Sequence, residues 1–189
     1  AHALFQLTGD DHSEAVAWNN LGQALQGVRR FEEAIHAHTH AHALFQQTGD
    51  TRDEAKAWNN LGLALREAGR FEEAIQAHTH AHALFQLTGD DHSEAVAWTY
   101  LGSALQGVRR FEEAINAHTH AHELCRRVGD ARSEAVMWHM LGLALREAGR
   151  LEEAAGALER AVELFAQSGD THGVRVVGEL LAEVRQTRA

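Results

Sequence analysis

Apolar residues fall three and four apart along most of the chain, as in Ala15, Trp18, Leu21 and Leu25 and then, after a break, Phe31, Ala34, Ile35, Ala41, Leu44 and Phe45. That spacing keeps one face of an α-helix apolar, so it predicts two helices joined by a short turn. The same pair of stripes recurs, and predicts helices near 11–28, 31–47, 51–68, 71–87, 91–108, 111–127, 131–148, 151–167 and 171–187. The expected fold class is all-α, built from helical hairpins.

The recurrence is periodic. Gly-Asp stands at 9–10, 49–50, 89–90, 129–130 and 169–170, tryptophan at Trp18, Trp58, Trp98 and Trp138, and Leu-Gly at 21–22, 61–62, 101–102 and 141–142, a step of 40 residues each time. Full repeats therefore run 11–50, 51–90, 91–130 and 131–170. Residues 1–10 closely match 41–50 and 81–90, the partial repeat expected of a piece cut from a longer array. The tail, 171–189, is a degenerate half repeat with Gly178 where tryptophan would fall. One hairpin of this size cannot bury its apolar face alone, so each repeat must cover the next and the ends must be capped. The expectation is one α-solenoid of stacked antiparallel hairpins over 1–189. The last helix, with Val174, Val177, Leu181 and Val184 on one side and Arg175, Glu179, Glu183 and Arg185 elsewhere, serves as the cap.

The junctions carry turn chemistry. Asp10 or Asp11 can cap the first helix, and Asp11 to Glu14 has capping-box spacing. Gly9 and its equivalents suit the left-handed residue that ends a helix. Within the hairpins Gly69 and Gly149 can do the same, whereas Arg29 and Arg109 stand there in the first and third repeats, at about 1 kcal/mol each.

The stretch AWNNLGQALQGVRRFEEAIHAHTHAHALF resembles the tetratricopeptide repeat: Trp18, Leu21-Gly22, Ala34 and Ala41 meet that signature, with Phe31 opening the second helix. Common repeats of this kind have about 34 residues. The longer repeat is similar to those of kinesin light chain, the spindle-orientation adaptors and the arrays attached to bacterial nucleotide-binding and transcriptional regulators; LREAGRFEEAIQAH resembles the last group most. The resemblance implies a right-handed superhelix whose first helices line a concave groove for a peptide or partner helix. It also implies a recognition or regulatory module of a larger bacterial regulator.

Residues 1–40 and 81–120 differ only at Asn19/Thr99, Asn20/Tyr100, Gln23/Ser103 and His36/Asn116. Positions 19, 20 and 23 form one patch on the first helix, which by the resemblance faces the groove. Collected by repeat, the expected lining is Asn19, Asn20, Gln23 and Gln26; Asn59, Asn60, Leu63 and Arg66; Thr99, Tyr100, Ser103 and Gln106; and His139, Met140, Leu143 and Arg146. Asn20 and Asn60 fall where similar arrays hold a peptide backbone, since a carboxamide both donates and accepts. Tyr100 and Met140 break that ladder. Met140, Leu143 and Arg146 suit an acidic or apolar ligand segment.

Composition narrows the partners. With 17 basic and 27 acidic side chains the charge is −10, and the basic residues gather nowhere, which disfavours nucleic acid and membrane surfaces. No run is apolar enough to span a membrane and no leader pattern opens the chain, so a cytoplasmic protein is expected. The single cysteine, Cys125, stands where the other repeats have Phe45, Phe85 and Phe165, a core position. The 15 histidines cluster on the second helices, where i, i+4 pairs such as His36/His40 and His38/His42 are weak metal candidates. His38 and His42 fall on the packing side, however, and Leu158, Arg160 and Val162 replace the set in the fourth repeat. These histidines are expected to be structural, and no cofactor is expected. No phosphate loop, catalytic triad order or zinc-protease spacing occurs, so no enzyme is expected. Two alternatives to partner binding stay open: self-assembly into a homo-oligomer through terminal repeat faces, and a histidine-based metal or pH sensor.

Overall fold

A computed structural model describes residues 10–128 and 131–188, and the described residues are helical apart from short junctions. The helices are α1 Asp11–Gly27, α2 Phe31–Thr48, α3 Thr51–Glu67, α4 Phe71–Thr88, α5 Asp91–Gly107, α6 Phe111–Val128, α7 Ala131–Glu147, α8 Leu151–Gln167 and α9 Thr171–Arg188. Each repeat is a hairpin of two helices, as the periodicity requires.

Asp10, Asp50, Asp90 and Asp170 cap the first helices, their carboxylates accepting the N–H of Ser13 (3.0 Å), Asp53 (3.1 Å), Ser93 (3.1 Å) and Gly173 (2.9 Å). Of the two candidates at the first cap it is Asp10 that acts. Glu14 Oε1 accepts Trp18 Nε1–H at 3.3 Å. The second helices end on left-handed Gly49, Gly89 and Gly169.

Inside the hairpins Gly69 and Gly149 have φ of 77° and 78°, and Arg29 and Arg109 adopt the same turn at 61° and 62°. A Cβ in that region costs roughly 1–2 kcal/mol. Arg29 recovers a little by lying 6.0 Å over the Phe31 ring. Arg29→Gly is therefore expected to raise stability by about 0.5–1 kcal/mol, read as a higher urea midpoint. A lower midpoint would mean that the arginine side chain outweighs its backbone strain.

The chain falls into two compact bodies, the first ending at Tyr100 and the second beginning at Leu101, within α5. In the first body α1 packs on α2, α2 on α3 and α3 on α4, while α1 also touches α3. Its core is built in layers of small residues around one ring. Ala15, Ala41, Phe45 and Ala57 pack with Trp18 and Leu44, and the layer recurs as Ala55, Ala81, Phe85 and Ala97 with Trp58 and Leu84. Alanine at the crossings lets the helices approach closely enough to enclose the phenylalanine. In the second body α6 packs on α7, α7 on α8 and α8 on α9. There α9 buries Val177, Leu181 and Val184 and leaves Arg175, Val176 and Glu179 exposed.

Leu21 departs from the expected core. It is 44% exposed, whereas Leu61, Leu101 and Leu141 are buried. α3 has the preceding hairpin packed alongside it, while α1 is the outermost described helix of its body.

Exposed ion pairs bracket successive repeats: Arg70 to Glu32 (3.0 Å) and Arg52 to Asp90 (2.8 Å) in the first body, Arg150 to Glu112 (3.0 Å) and Arg132 to Asp170 (3.3 Å) in the second. Each is worth little alone. They recur at equivalent positions in the two bodies.

Candidate functional site: a carboxamide groove on a buried histidine layer

His38, His78 and His118, one on each of α2, α4 and α6, are fully buried. Each ring lies against the glycine of Leu-Gly on the first helix of its own repeat. A Cβ at Gly22, Gly62 or Gly102 would stand 2.5–2.6 Å from Cε1 of the facing ring. The glycine is present because an imidazole occupies the space a side chain would need. In the fourth repeat Leu158 fills the same seat under Gly142. Burial pushes the histidines down to pKa values of about 4 for His38, about 3 for His78, where the Arg66 charge adds, and about 4 for His118. All three are neutral near pH 7.

Their partners come from the first helices. His38 Nδ1 lies 3.0 Å from Asn19 Oδ1 and its Nε2 lies 3.0 Å from Gln26 Oε1. A neutral ring carries one N–H and donates to one of these oxygens at a time. His78 Nδ1 lies 3.0 Å from Asn59 Oδ1, and its Nε2 has no hydrogen-bond partner. His118 Nε2 lies 3.1 Å from Gln106 Oε1. Here Thr99 replaces the asparagine, and its buried hydroxyl donates to the Ala95 carbonyl at 2.8 Å.

This sorts the residues expected to line the groove. Thr99 is buried and does not line it. Asn19, Asn59, Gln26 and Gln106 are half-buried, with one carboxamide atom turned inward to a histidine. The Asn19/Thr99 difference therefore falls at a position whose side chain is turned inward in both repeats and is not a change on a free surface. Gln26 and Gln106 also reach the next repeat, donating to Glu67 (3.2 Å) and Glu147 (3.0 Å). Arg66 lies 5.6 Å over the Tyr100 ring and Arg146 lies 3.7 Å from Glu183. Asn20 is exposed and lies outside the cavity described next, whereas Leu63, Ser103, Met140 and Leu143 are half-buried on their helices. His139 is also half-buried, and burial lowers its pKa.

Between the first helices of the first body opens a cavity of about 280 Å³. α1 gives it Asn19 and Gln23, α3 gives Lys56, Asn59 and Asn60, and Phe85 closes it from the end of α4. The start of α5 adds His92, Ser93 and Val96. Asn60 Nδ2–H donates to Asn19 Oδ1 at 3.1 Å, tying two walls together. Lys56 is a lining residue that the periodic reading passed over. It is the only lysine in the chain, with valine at 16, 96 and 136 in the other repeats, and that exception was the available signal. It is half-exposed and pairs with Asp53 at 2.6 Å.

Several of the other second-helix histidines stack on tryptophans. Trp58 lies between His42 at 3.9 Å and His80 at 4.7 Å, and His40 covers Trp18 at 4.9 Å. Among the described residues neither His36/His40 nor His38/His42 belongs to a set of three converging metal-ligand atoms. The set that does converge is His12, Asp50 and Asp53, on the surface. Position 12 is arginine in the second and fourth repeats, where Arg52 and Arg132 pair with Asp90 and Asp170. His12, 3.5 Å from Asp50, continues that bracket.

The tetratricopeptide repeat family profile matches residues 13–87, 53–102 and 93–167, most of the chain. The chain belongs to the tetratricopeptide repeat family. Solved structures share the fold at low sequence identity. The apo form of RapI has a TM-score of 0.84 at 14% identity, over 93% of this chain and 64% of RapI. BtubC (BKLC) from P. vanneervenii has 0.71 at 15%, over 94% and 82%. A signal transduction ATPase with numerous domains that carries a tetratricopeptide repeat sensor, from Pyrococcus horikoshii, has 0.79 at 13%, over 88% and 26%. The chain thus spans under two thirds of RapI and about a quarter of the ATPase. No curated protein matches it. No helix among the described residues is long and apolar enough to cross a membrane. Cys125 is buried, as a core position of this tetratricopeptide repeat array requires.

Proposed function

We propose that the chain is a protein-interaction module that takes a segment of a partner polypeptide into the groove between α1, α3 and α5, and that it serves as the recognition part of a larger regulator. The observation that carries this is the cavity where four carboxamides, Asn19, Gln23, Asn59 and Asn60, and the sole lysine converge. Carboxamides match a peptide backbone because they donate and accept, and Lys56 gives a positive point in a chain of net charge −10. A segment with an acidic side chain at that point is the favoured ligand. Membership of the tetratricopeptide repeat family supports polypeptide binding, and the sensor repeats of the horikoshii ATPase support the regulatory setting.

The test is selection of a random 12-residue peptide library displayed on phage, followed by fluorescence anisotropy of the binders. Lys56→Glu is expected to weaken them at least tenfold, about 1.4 kcal/mol. Gln76→Ala, on the exposed face of α4, should leave them unchanged. Binders indifferent to Lys56→Glu would refute the groove.

A further inference from the structure

A second, smaller cavity of about 190 Å³ in the first body is lined by Val16, Asn19, Phe45, Asp53 and Lys56. Adding 40 to each number gives Lys56, Asn59, Phe85, Ser93 and Val96, all of which line the larger cavity. The two hollows are one structural feature repeated at successive junctions. Each has a phenylalanine from a second helix and an asparagine from a first helix. Resting on the groove reading above, we infer that the first body reads its ligand as an extended, polyproline-II-like segment in steps of three residues, with Asn19 and Asn59 donating to its backbone carbonyls and His38 and His78 holding those carboxamides in place.

The spacing selects the conformation. Neighbouring packed helices lie about 8–10 Å apart, so equivalent points of the two hollows should be separated by about that much. Polyproline II rises about 3.1 Å per residue with three residues per turn, so residues i and i+3 lie about 9 Å apart on one face. A β-strand returns to the same face after two residues, about 7 Å, or four, about 13 Å, and misses both ways. An α-helix returns after seven residues, about 10.5 Å, and fits by length.

Hydrogen bonding separates the two that fit. His78 Nε2 has no partner, so the neutral ring carries its proton on Nδ1 and donates to Asn59 Oδ1. That fixes the carboxamide with its NH2 as the group left for the cavity. Asn19 Oδ1 is occupied too, receiving Asn60 Nδ2–H and facing His38 Nδ1. Two oriented donors one repeat apart need two bare acceptors. A helical ligand spends its carbonyls on its own ladder, whereas a polyproline-II segment leaves every carbonyl free. His38 and His78 are positioning residues, acting on the ligand only through the asparagines.

The test uses Lys56-dependent peptides from the library. Their anchor residues are expected at i and i+3, and proline between the anchors should change affinity less than threefold. The double variant His38→Leu, His78→Leu copies the seat of Leu158 under Gly142, so it should stay helical by circular dichroism while affinity falls at least tenfold. Amide-to-ester replacement of an anchor carbonyl should weaken binding to the native protein and have little further effect on that variant. Asn59→Asp, which keeps an acceptor for His78 but loses the donor, provides a second reading should the double variant fail to fold; it too should lose at least tenfold. Groove-dependent peptides with anchors seven apart, abolished by proline, would overturn this inference and leave the groove standing. Native affinity in Asn59→Asp would overturn it as well. Absence of any Lys56-dependent peptide would overturn both.

Discussion

Gly62→Ala is expected to destabilise the first body by about 1–2 kcal/mol net, against the usual sign for a glycine inside a helix. Glycine to alanine in a helix interior ordinarily gains about 1 kcal/mol. At Gly62 the new Cβ would stand 2.6, 2.7 and 2.8 Å from Cε1, Nε2 and Nδ1 of His78. Those atoms belong to a rigid, fully buried ring, so relief requires the two helices of the hairpin to separate, and overpacking of this kind costs roughly 1–3 kcal/mol or more. The control lies in the same chain. Gly156 in α8 is exposed with nothing near its Cβ position, so Gly156→Ala should stabilise. Urea midpoints measure both. In the His78→Ala background Gly62→Ala should lose most of its effect, and a cycle coupling below about 0.5 kcal/mol would refute the ring contact.

Stability is expected to fall by about 4 kcal/mol between pH 7.5 and 5.5 through the buried histidines. In the unfolded chain each titrates near 6.5. In the fold, burial holds His38 and His118 at about 4 and His78 at about 3. Above pH 6.5 both states are neutral and the contribution is fully present. As pH falls below 6.5 the unfolded chain takes up protons first, so stability is lost down to the folded values, on the order of 1 kcal/mol per ring by pH 5.5. His42, held at about 4 by burial and by His80, acts in the same direction. Changing His38, His78 and His118 together to leucine should flatten the profile. An unfolding midpoint that does not move between pH 7.5 and 5.5 would contradict the neutral buried layer.

Much of the fold was legible because its cause is local. Trp, Leu-Gly and Gly-Asp recur at a fixed step, and helical spacing put His38 on the packing side and Arg29 on the left-handed turn. What the sequence could not convey is what lies opposite. That His38 rests on Gly22 and faces Asn19 and Gln26 depends on how two helices cross, and no periodicity encodes it. For the same reason Thr99 read as a surface change although it is buried. Asp10 and Asp11 are equivalent caps on paper, and only the helix start at Asp11 separates them. Lys56 was findable, as the one residue breaking a column of valines.

The alternation of Arg29, Gly69, Arg109 and Gly149 at the hairpin turns has a wider consequence. The bridge Gln26–Glu67 has its counterpart in Gln106–Glu147, 80 residues on, because glutamine and arginine alternate at the first of these positions and glycine and glutamate at the second. Odd repeats differ from even ones in backbone strain and in the side chains they offer a neighbour. The module that can be excised or copied without creating a foreign junction is accordingly a pair of repeats, and an array shortened by one hairpin would juxtapose two edges of the same kind.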